Sequence, residues 1–454
     1  MTTIYTANWV LPISTPPIAN GAIAVEGSVI NGVGDRDELA LHFPEAEVKS
    51  FGAAAIVPGF VNAHSHLELT VMRGFLDSED RNFFAWLQKL TLARLGMTQD
   101  DLHVSATWGA CEALRAGVTC VADASDSASE SIKALRLTGL RGTVYQESFG
   151  PDPKLASDNF ATLTEKVSSL KTMQTPLVRV GVSPHAPYTV SAPQLERIAE
   201  FALAEQLAVM MHAAESVAEE MLLLNGSGTL AERFAARGIG WETPSVSTIK
   251  YLERHGILRT RPLLAHCIRV DKEDLDLIGS TGSAIAHCPK SNAKLGHARA
   301  PFAEFVRRQL PVGLGSDSVA SNNNCDLLEE ARFALLMARA GTEHPAELDA
   351  ADALRVATLG GARALGLEGQ VGELREGYQA DFAVISLNGT HQQPSYDPIR
   401  TLIFSSSGRD VLLTVVAGKE LYREGRLIGI DEERLRARIG EISLKLLQGI
   451  DSKG

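Results

Sequence analysis

The strongest constraint on the fold is an alternation that runs from about residue 56 to 340, in which eight short apolar runs are separated by amphipathic, helix-like segments. The runs fall at 56–62, 118–123, 142–147, 178–183, 208–212, 262–266, 284–287 and 312–317. Strands and helices alternating at this spacing are the pattern of βα units. The runs are almost continuously apolar, as strands are when a parallel sheet is covered on both faces. Helix signals fill the gaps. Thr98-Gln99-Asp100-Asp101 reads as a helix start that Gly117 closes, and Ser191-Ala192-Pro193-Gln194 reads as a capping box with proline in the first turn. Eight such units predict an α/β fold, a (β/α)8 TIM-type barrel, with its active site at the C-terminal ends of the strands.

The flanks have a different texture, with short β-like runs between turn signals, among them Asp381-Phe382-Ala383-Val384-Ile385. Residues 1–55 and 372–454 are therefore expected to form one small β-sandwich-like domain built from both chain ends. The barrel takes residues 56–371, and a charged final helix over 431–447 is expected on the surface.

Charge and composition exclude several functions. A net charge of −12 without a basic block argues against a nucleic-acid partner. No apolar run approaches the ~20 residues that span a bilayer, and the first residues lack the charged and apolar regions of a signal peptide. The five cysteines, odd in number and without a CxxC pair, read as reduced, buried thiols of a cytoplasmic protein. His266-Cys267 and His287-Cys288 do not make a structural zinc site, because neighbours on a strand face opposite ways.

The chemistry lies at the strand ends. In Pro58-Gly59-Phe60-Val61-Asn62-Ala63-His64-Ser65-His66 the two histidines are two residues apart, so on a strand they share a face and can converge on one metal ion. His212, His266 and Asp317 end other runs. His64, His66 and His212 supply nitrogens and Asp317 an oxygen, a donor set suited to a catalytic metal with one open position. Such an ion lowers the pKa of a bound water toward ~7. Glu215, three residues beyond His212, is placed to act as a general acid/base. His266 can hydrogen-bond the attacking water, and Asp317 can also take its proton. Each residue alone has a plainer reading, as a solvated histidine or a helix-capping acid. Six of them at or just beyond the ends of four runs favour the site.

These motifs, together with His287-Cys288-Pro289-Lys290-Ser291-Asn292 and Gly372-Glu373-Leu374, resemble the amidohydrolase superfamily, in the branch of aromatic aminohydrolases and triazine chlorohydrolases. The resemblance implies one divalent metal ion, zinc first and iron second, held by His64, His66, His212 and Asp317. Glu215 is implied as proton shuttle, and His266 as the residue beside the water. Binuclear relatives use a lysine near the end of strand four, and Val180-Gly181-Val182-Ser183-Pro184-His185 has none. The implied reaction is hydrolytic deamination of an aminated aromatic ring, on a small-molecule substrate and without nucleic acid or membrane; a homodimer is also implied. A non-catalytic scaffold homologue would be expected to lose ligands or the shuttle, and all are retained here.

Several loops are most similar to aminodeoxyfutalosine deaminases of menaquinone biosynthesis, including His66-Leu67-Glu68-Leu69-Thr70, Gln146-Glu147-Ser148-Phe149-Gly150 and Trp241-Glu242-Thr243-Pro244. His185, in Pro-His-x-Pro-Tyr, is carried over as a substrate contact, and Trp86 lies in the loop region after strand one. Glu68 or Glu147 is expected at a ribose hydroxyl and Arg73 at a distal carboxylate. Adenosine, S-adenosylhomocysteine and guanine-type rings are the alternatives, with dechlorination behind them.

Overall fold

A computed structural model of the protein describes residues 2–340 and 348–451. Its central sheet has eight strands: β1 (Phe60–Ser65), β2 (Val118–Ser125), β3 (Arg141–Ser148), β4 (Val178–Pro184), β5 (Ala208–Ala213), β6 (Leu263–His266), β7 (Ala284–His287) and β8 (Val312–Leu314). They pair side by side in chain order, each parallel to the next. A parallel bridge between Ser65 and Asp317 brings the last strand back to the first. The expected TIM-type barrel is present, with helices around it.

Side-chain alternation explains why the strands read as continuous apolar runs. Ala122, Ala124, Ala265 and Ala286 share a cluster with Met210 and Tyr145 inside the barrel. Val121, Val144, Val182 and Ile285 face the other way and pack with Ile132, Ile198, Ile278 and Leu335 of the surrounding helices. The helix Gln99–Arg115 starts as its sequence suggests, with Thr98 and Asp101 forming a reciprocal capping box.

Three local expectations are corrected. The run 56–62 is not one strand. Ala54–Pro58 belongs to a seven-stranded sheet of the chain ends, where it pairs antiparallel with Phe382–Ser386, and the barrel begins only at Phe60. Gly59 is the joint. Its N–H donates to the Asp381 carbonyl (3.0 Å), and a Cβ there would lie 2.0 Å from Thr119 Oγ1. Ser191 makes no side-chain cap; Gln194 instead donates to Ser148 Oγ at 2.8 Å and the Phe149 carbonyl at 3.1 Å. The final helix, Glu432–Asp451, is amphipathic rather than wholly superficial, because Ile442 and Leu446 are buried against Leu76, Val104 and Trp86.

The seven-stranded sheet packs against a four-stranded sheet of N-terminal strands, in the order Val29–Asp35, Gly21–Glu26, Thr2–Thr6, Glu47–Ser50. Ala54, Ile56, Phe382 and Val384 point into the core between these sheets, while Ala55, Val57, Ala383 and Ile385 point toward the barrel. One strand pair is therefore shared by two cores. Arg141 at the foot of β3 spans the same junction, donating to both carboxylate oxygens of Asp381 at 2.7 and 3.0 Å. Among the described residues no helix is long and apolar enough to cross a membrane.

Both members of the Arg141–Asp381 pair are buried, so removing one strands the charge of the other. Arg141→Ala is expected to lower the unfolding free energy by about 3–5 kcal/mol. A denaturant midpoint equal to that of the parent would show that the pair does not hold the junction.

Candidate metal centre and active-site cavity

His64 and His66 leave the end of β1, His212 lies near the end of β5, and Asp317 follows β8. One ligand atom from each of the four lies within 4.8 Å of all the others. His66 Nε2 is 3.2 Å from His212 Nε2, and Asp317 Oδ1 is 3.4 Å from His64 Nε2 and 3.6 Å from His66 Nε2. An ion bonded tetrahedrally at about 2.1 Å keeps its ligand atoms about 3.4 Å apart. The spacing fits. His64 Nε2 is also sealed from solvent with no hydrogen-bond partner, an orphan that an ion would satisfy. Burial, reinforced by His64, pushes His66 down to about 3, and burial with His185 and His64 pushes His212 well below the ordinary histidine value. Both rings are then neutral, the form that ligates. The donor set of three imidazoles and one carboxylate suits zinc and neighbouring divalent ions. A second grouping of Glu147, His185 and His212 is not independent of this one. His212 Nε2 already faces the first centre, and Nδ1 donates to the His185 carbonyl at 2.9 Å.

The surroundings hold the ligands still. Asp317 Oδ2 accepts from Ser291 Oγ at 2.6 Å and Ser321 Oγ at 3.0 Å, and Oδ1 from the Ser318 N–H at 2.7 Å. Burial would raise its carboxyl, yet His64, His266 and His66 hold it well below the usual range. Gly315 permits the close approach of β8, since a Cβ there would lie 2.8 Å from His64 Cβ. Ala214, His266, Cys267 and Asp317 all have positive φ, at 53°, 73°, 47° and 56°. Non-glycine residues held in this region at one site mark strain that the surrounding packing maintains.

Glu215 and His266 face the same point. Glu215 Oε1 lies 3.6 Å from His266 Nε2 and 3.7 Å from His297 Nε2. Glu219 secures the Glu215 turn by accepting the N–H groups of Ala214 (2.8 Å) and Glu215 (3.1 Å). His266 Nδ1 is paired with Asn292 Oδ1 at 2.8 Å. Burial opposes protonation of His266, but Glu215 and Asp317 outweigh it and the pKa is raised.

A family comparison agrees with this geometry, since the sequence model of the amidohydrolase family matches residues 55–421. The chain belongs to the amidohydrolase family. A 5-methylthioadenosine/S-adenosylhomocysteine deaminase of Syntrophobacter fumaroxidans is 32% identical over 426 residues, covering 93% of each chain. Among solved structures, an adenosine deaminase from Xanthomonas campestris with bound zinc superposes with a TM-score of 0.88 at 27% identity, covering 98% of each chain. Atrazine chlorohydrolase from Arthrobacter aurescens, complexed with zinc, shares the fold with a TM-score of 0.83 at 23% identity, covering 97% of this chain and all of that one (100%). The protein is thus a metal-dependent hydrolytic enzyme.

The centre of this amidohydrolase forms the floor of a cavity of about 400 Å³. One wall is the helix Phe83–Leu95, which presents Phe83, Trp86, Leu87 and Leu90, and Phe149, His185 and Tyr188 also line the space. Of the substrate residues expected from sequence, His185, Trp86, Glu68 and Glu147 line the cavity. Arg73 does not. It is bound to Glu112 and to the Asn323 carbonyl, so the expected contact with a distal carboxylate is not supported by its placement. Glu68 is already engaged, accepting from Arg94 Nε (2.9 Å), Ser125 Oγ (2.6 Å) and the Ser127 N–H (3.0 Å). Burial, with Glu68 and Asp126 nearby, raises the Glu147 carboxyl well above its ordinary value. Arg94, the pairing of Asn292 with His266 and the approach of His297 to Glu215 escaped the sequence reading. The only signal for Arg94 was its place in a largely apolar helix, where Lys89 is the other cation. His287 stacks on Phe302 at 5.0 Å, a packing role.

Two outcomes follow from this geometry. Dialysis against a strong chelator should abolish turnover, and one equivalent of divalent ion per chain should restore it; a requirement for two would disprove the single centre. Behind Asp317, Asn322 Nδ2 donates at 2.6 Å both to the Ser316 carbonyl and to Glu330, whose burial raises its pKa to about 8. A carboxyl raised in the folded state stabilises fully below its unfolded pKa of ~4.5 and loses that contribution as pH rises through the folded value. The parent should therefore lose stability relative to Glu330→Gln between pH 5 and pH 8. A melting-temperature difference that is flat across that range would contradict this linkage.

Proposed function

We propose that the protein is a hydrolytic deaminase of an adenosine-like nucleoside and releases ammonia. The observation that carries this reading is a single cavity that joins the metal-binding set, Glu215 and His266 to an aromatic and apolar wall. A flat heterocycle suits such a wall, and its amino-bearing edge would then reach the floor. The names of the relatives support the same class of substrate.

A divalent ion held by His64, His66, His212 and Asp317 would acidify a water and supply the nucleophile. Glu215 takes one proton of that water and places it on the ring nitrogen beside the amino-bearing carbon. Asp317 and His266 hold the second proton and direct it to the amine. The carbon–nitrogen bond breaks, ammonia leaves, and the oxygen stays on the ring as a carbonyl. Fixed donors and acceptors in a buried site keep this geometry with little reorganisation.

Within the class, the loop segments support aminodeoxyfutalosine, whose aryl extension suits the wall of Phe83, Trp86, Leu87 and Leu90. This would place the enzyme in menaquinone biosynthesis. His185 and Trp86 are the substrate contacts in this reading. A second reading, 5′-methylthioadenosine or S-adenosylhomocysteine, is favoured by the relatives' names, and Arg94 favours the first of the two. Arg94 is the one arginine or lysine among the described lining residues, and Glu68 and Asp126 already neutralise it, at 2.9 Å each. An uncharged methylthio group needs no cation.

Ammonia release should be measured with aminodeoxyfutalosine, 5′-methylthioadenosine, S-adenosylhomocysteine, adenosine and guanine. The highest kcat/KM is expected for aminodeoxyfutalosine, and Glu215→Gln should lower kcat by about 10²–10⁴-fold. Preference for another nucleoside would reassign the side group. Silence on all five with metal bound would refute the deaminase reading.

A further inference from the structure

An imidazole that ligates through one ring nitrogen leaves the other free, and whatever holds that second nitrogen fixes the tautomer and the ring orientation. The centre has three such rings. His212 donates from Nδ1 to the His185 carbonyl at 2.9 Å. His64 has its Nδ1 3.2 Å from the thioether sulfur of Met210. His66 turns Nε2 toward His212 and Asp317, and the carboxylate facing its Nδ1 is Glu147, with Oε1 at 4.0 Å.

Glu147 sits at the end of β3 and is buried. Its Oε1 is sealed from solvent and has no hydrogen bond, so this oxygen is not the part of Glu147 that faces the cavity. A separation of 4.0 Å is longer than a hydrogen bond. Without an ion, a neutral imidazole can carry its proton on either nitrogen. Ligation through Nε2 forces the proton onto Nδ1 and so creates the donor that Glu147 Oε1 lacks.

We propose that Glu147 is a positioning residue that accepts the Nδ1 proton of His66 and thereby tightens the metal centre. This rests on His66 being a ligand, and it does not depend on which ring is deaminated.

The test is zinc affinity, measured by competition with a chromophoric chelator and without substrate. A failure of the deaminase reading would leave this result untouched. Glu147→Leu should weaken zinc binding about 10–100-fold while leaving the melting temperature of the metal-free chain unchanged. Glu147→Gln keeps a carbonyl acceptor and should recover most of the affinity. In a His66→Ala background, Glu147→Leu should cause no further loss. Parental affinity in Glu147→Leu, or an equal loss without His66, would overturn the proposal. A rise in KM alone would also overturn it and return Glu147 to the substrate. Should Glu147→Leu fail to fold, Glu147→Asp decides: withdrawing the oxygen by one methylene should speed zinc release to the chelator, and an unchanged release rate would rule the role out.

Discussion

The main-chain hydrogen bond from the Asp317 N–H to the His64 carbonyl, 2.9 Å long, joins the end of the last barrel strand to the first. It closes the sheet and sets two members of the candidate metal centre side by side. The neighbouring bridge between Ser65 and Asp317 lies between His64 and His66 in sequence. Closure and ligation thus share the same few residues, and an error in strand register there would also separate the donors. The small side chains inside the barrel and Gly315 make that approach sterically possible.

Burial then sets the chemistry of what the seam brings together. In a water-poor pocket charges interact strongly, and unpaired ones are expensive to keep. His66 and His212 avoid the penalty by staying neutral. Asp317 avoids it by accepting from two serines and a backbone N–H. The remaining acids are handled differently: Glu68 and Asp126 share Arg94, whereas Glu147 is left without a partner on Oε1. Arg94 also fastens the apolar helix Phe83–Leu95 to the rim, so one guanidinium both balances the acids and holds the cavity wall.

Features governed by local rules were legible in the sequence. The eight strands could be read because helices outside and small side chains inside bury both faces. The convergence of His64 and His66 could be read because a two-residue spacing places them on one face. What failed depended on distant partners. The break at Gly59 is set by the Asp381 carbonyl, more than three hundred positions away in sequence, and no local pattern in residues 56–62 announces it. Arg73 and Arg94 look alike on paper. Only folding brings Glu112 to one and Glu68 to the other. Ser191 lost its cap because Gln194 found partners on β3 and in the loop behind it.

The strand pair shared by the two cores also bears on the order of events at the ribosome. Ala54–Pro58 leads within one residue into the strand that carries His64 and His66, and it leans on Phe382–Ser386. During synthesis the first two ligands emerge early and their backing strand very late. The catalytic centre therefore cannot mature progressively from the amino terminus. The nascent barrel must wait, its first strand unsupported, until Phe382–Ser386 has been made.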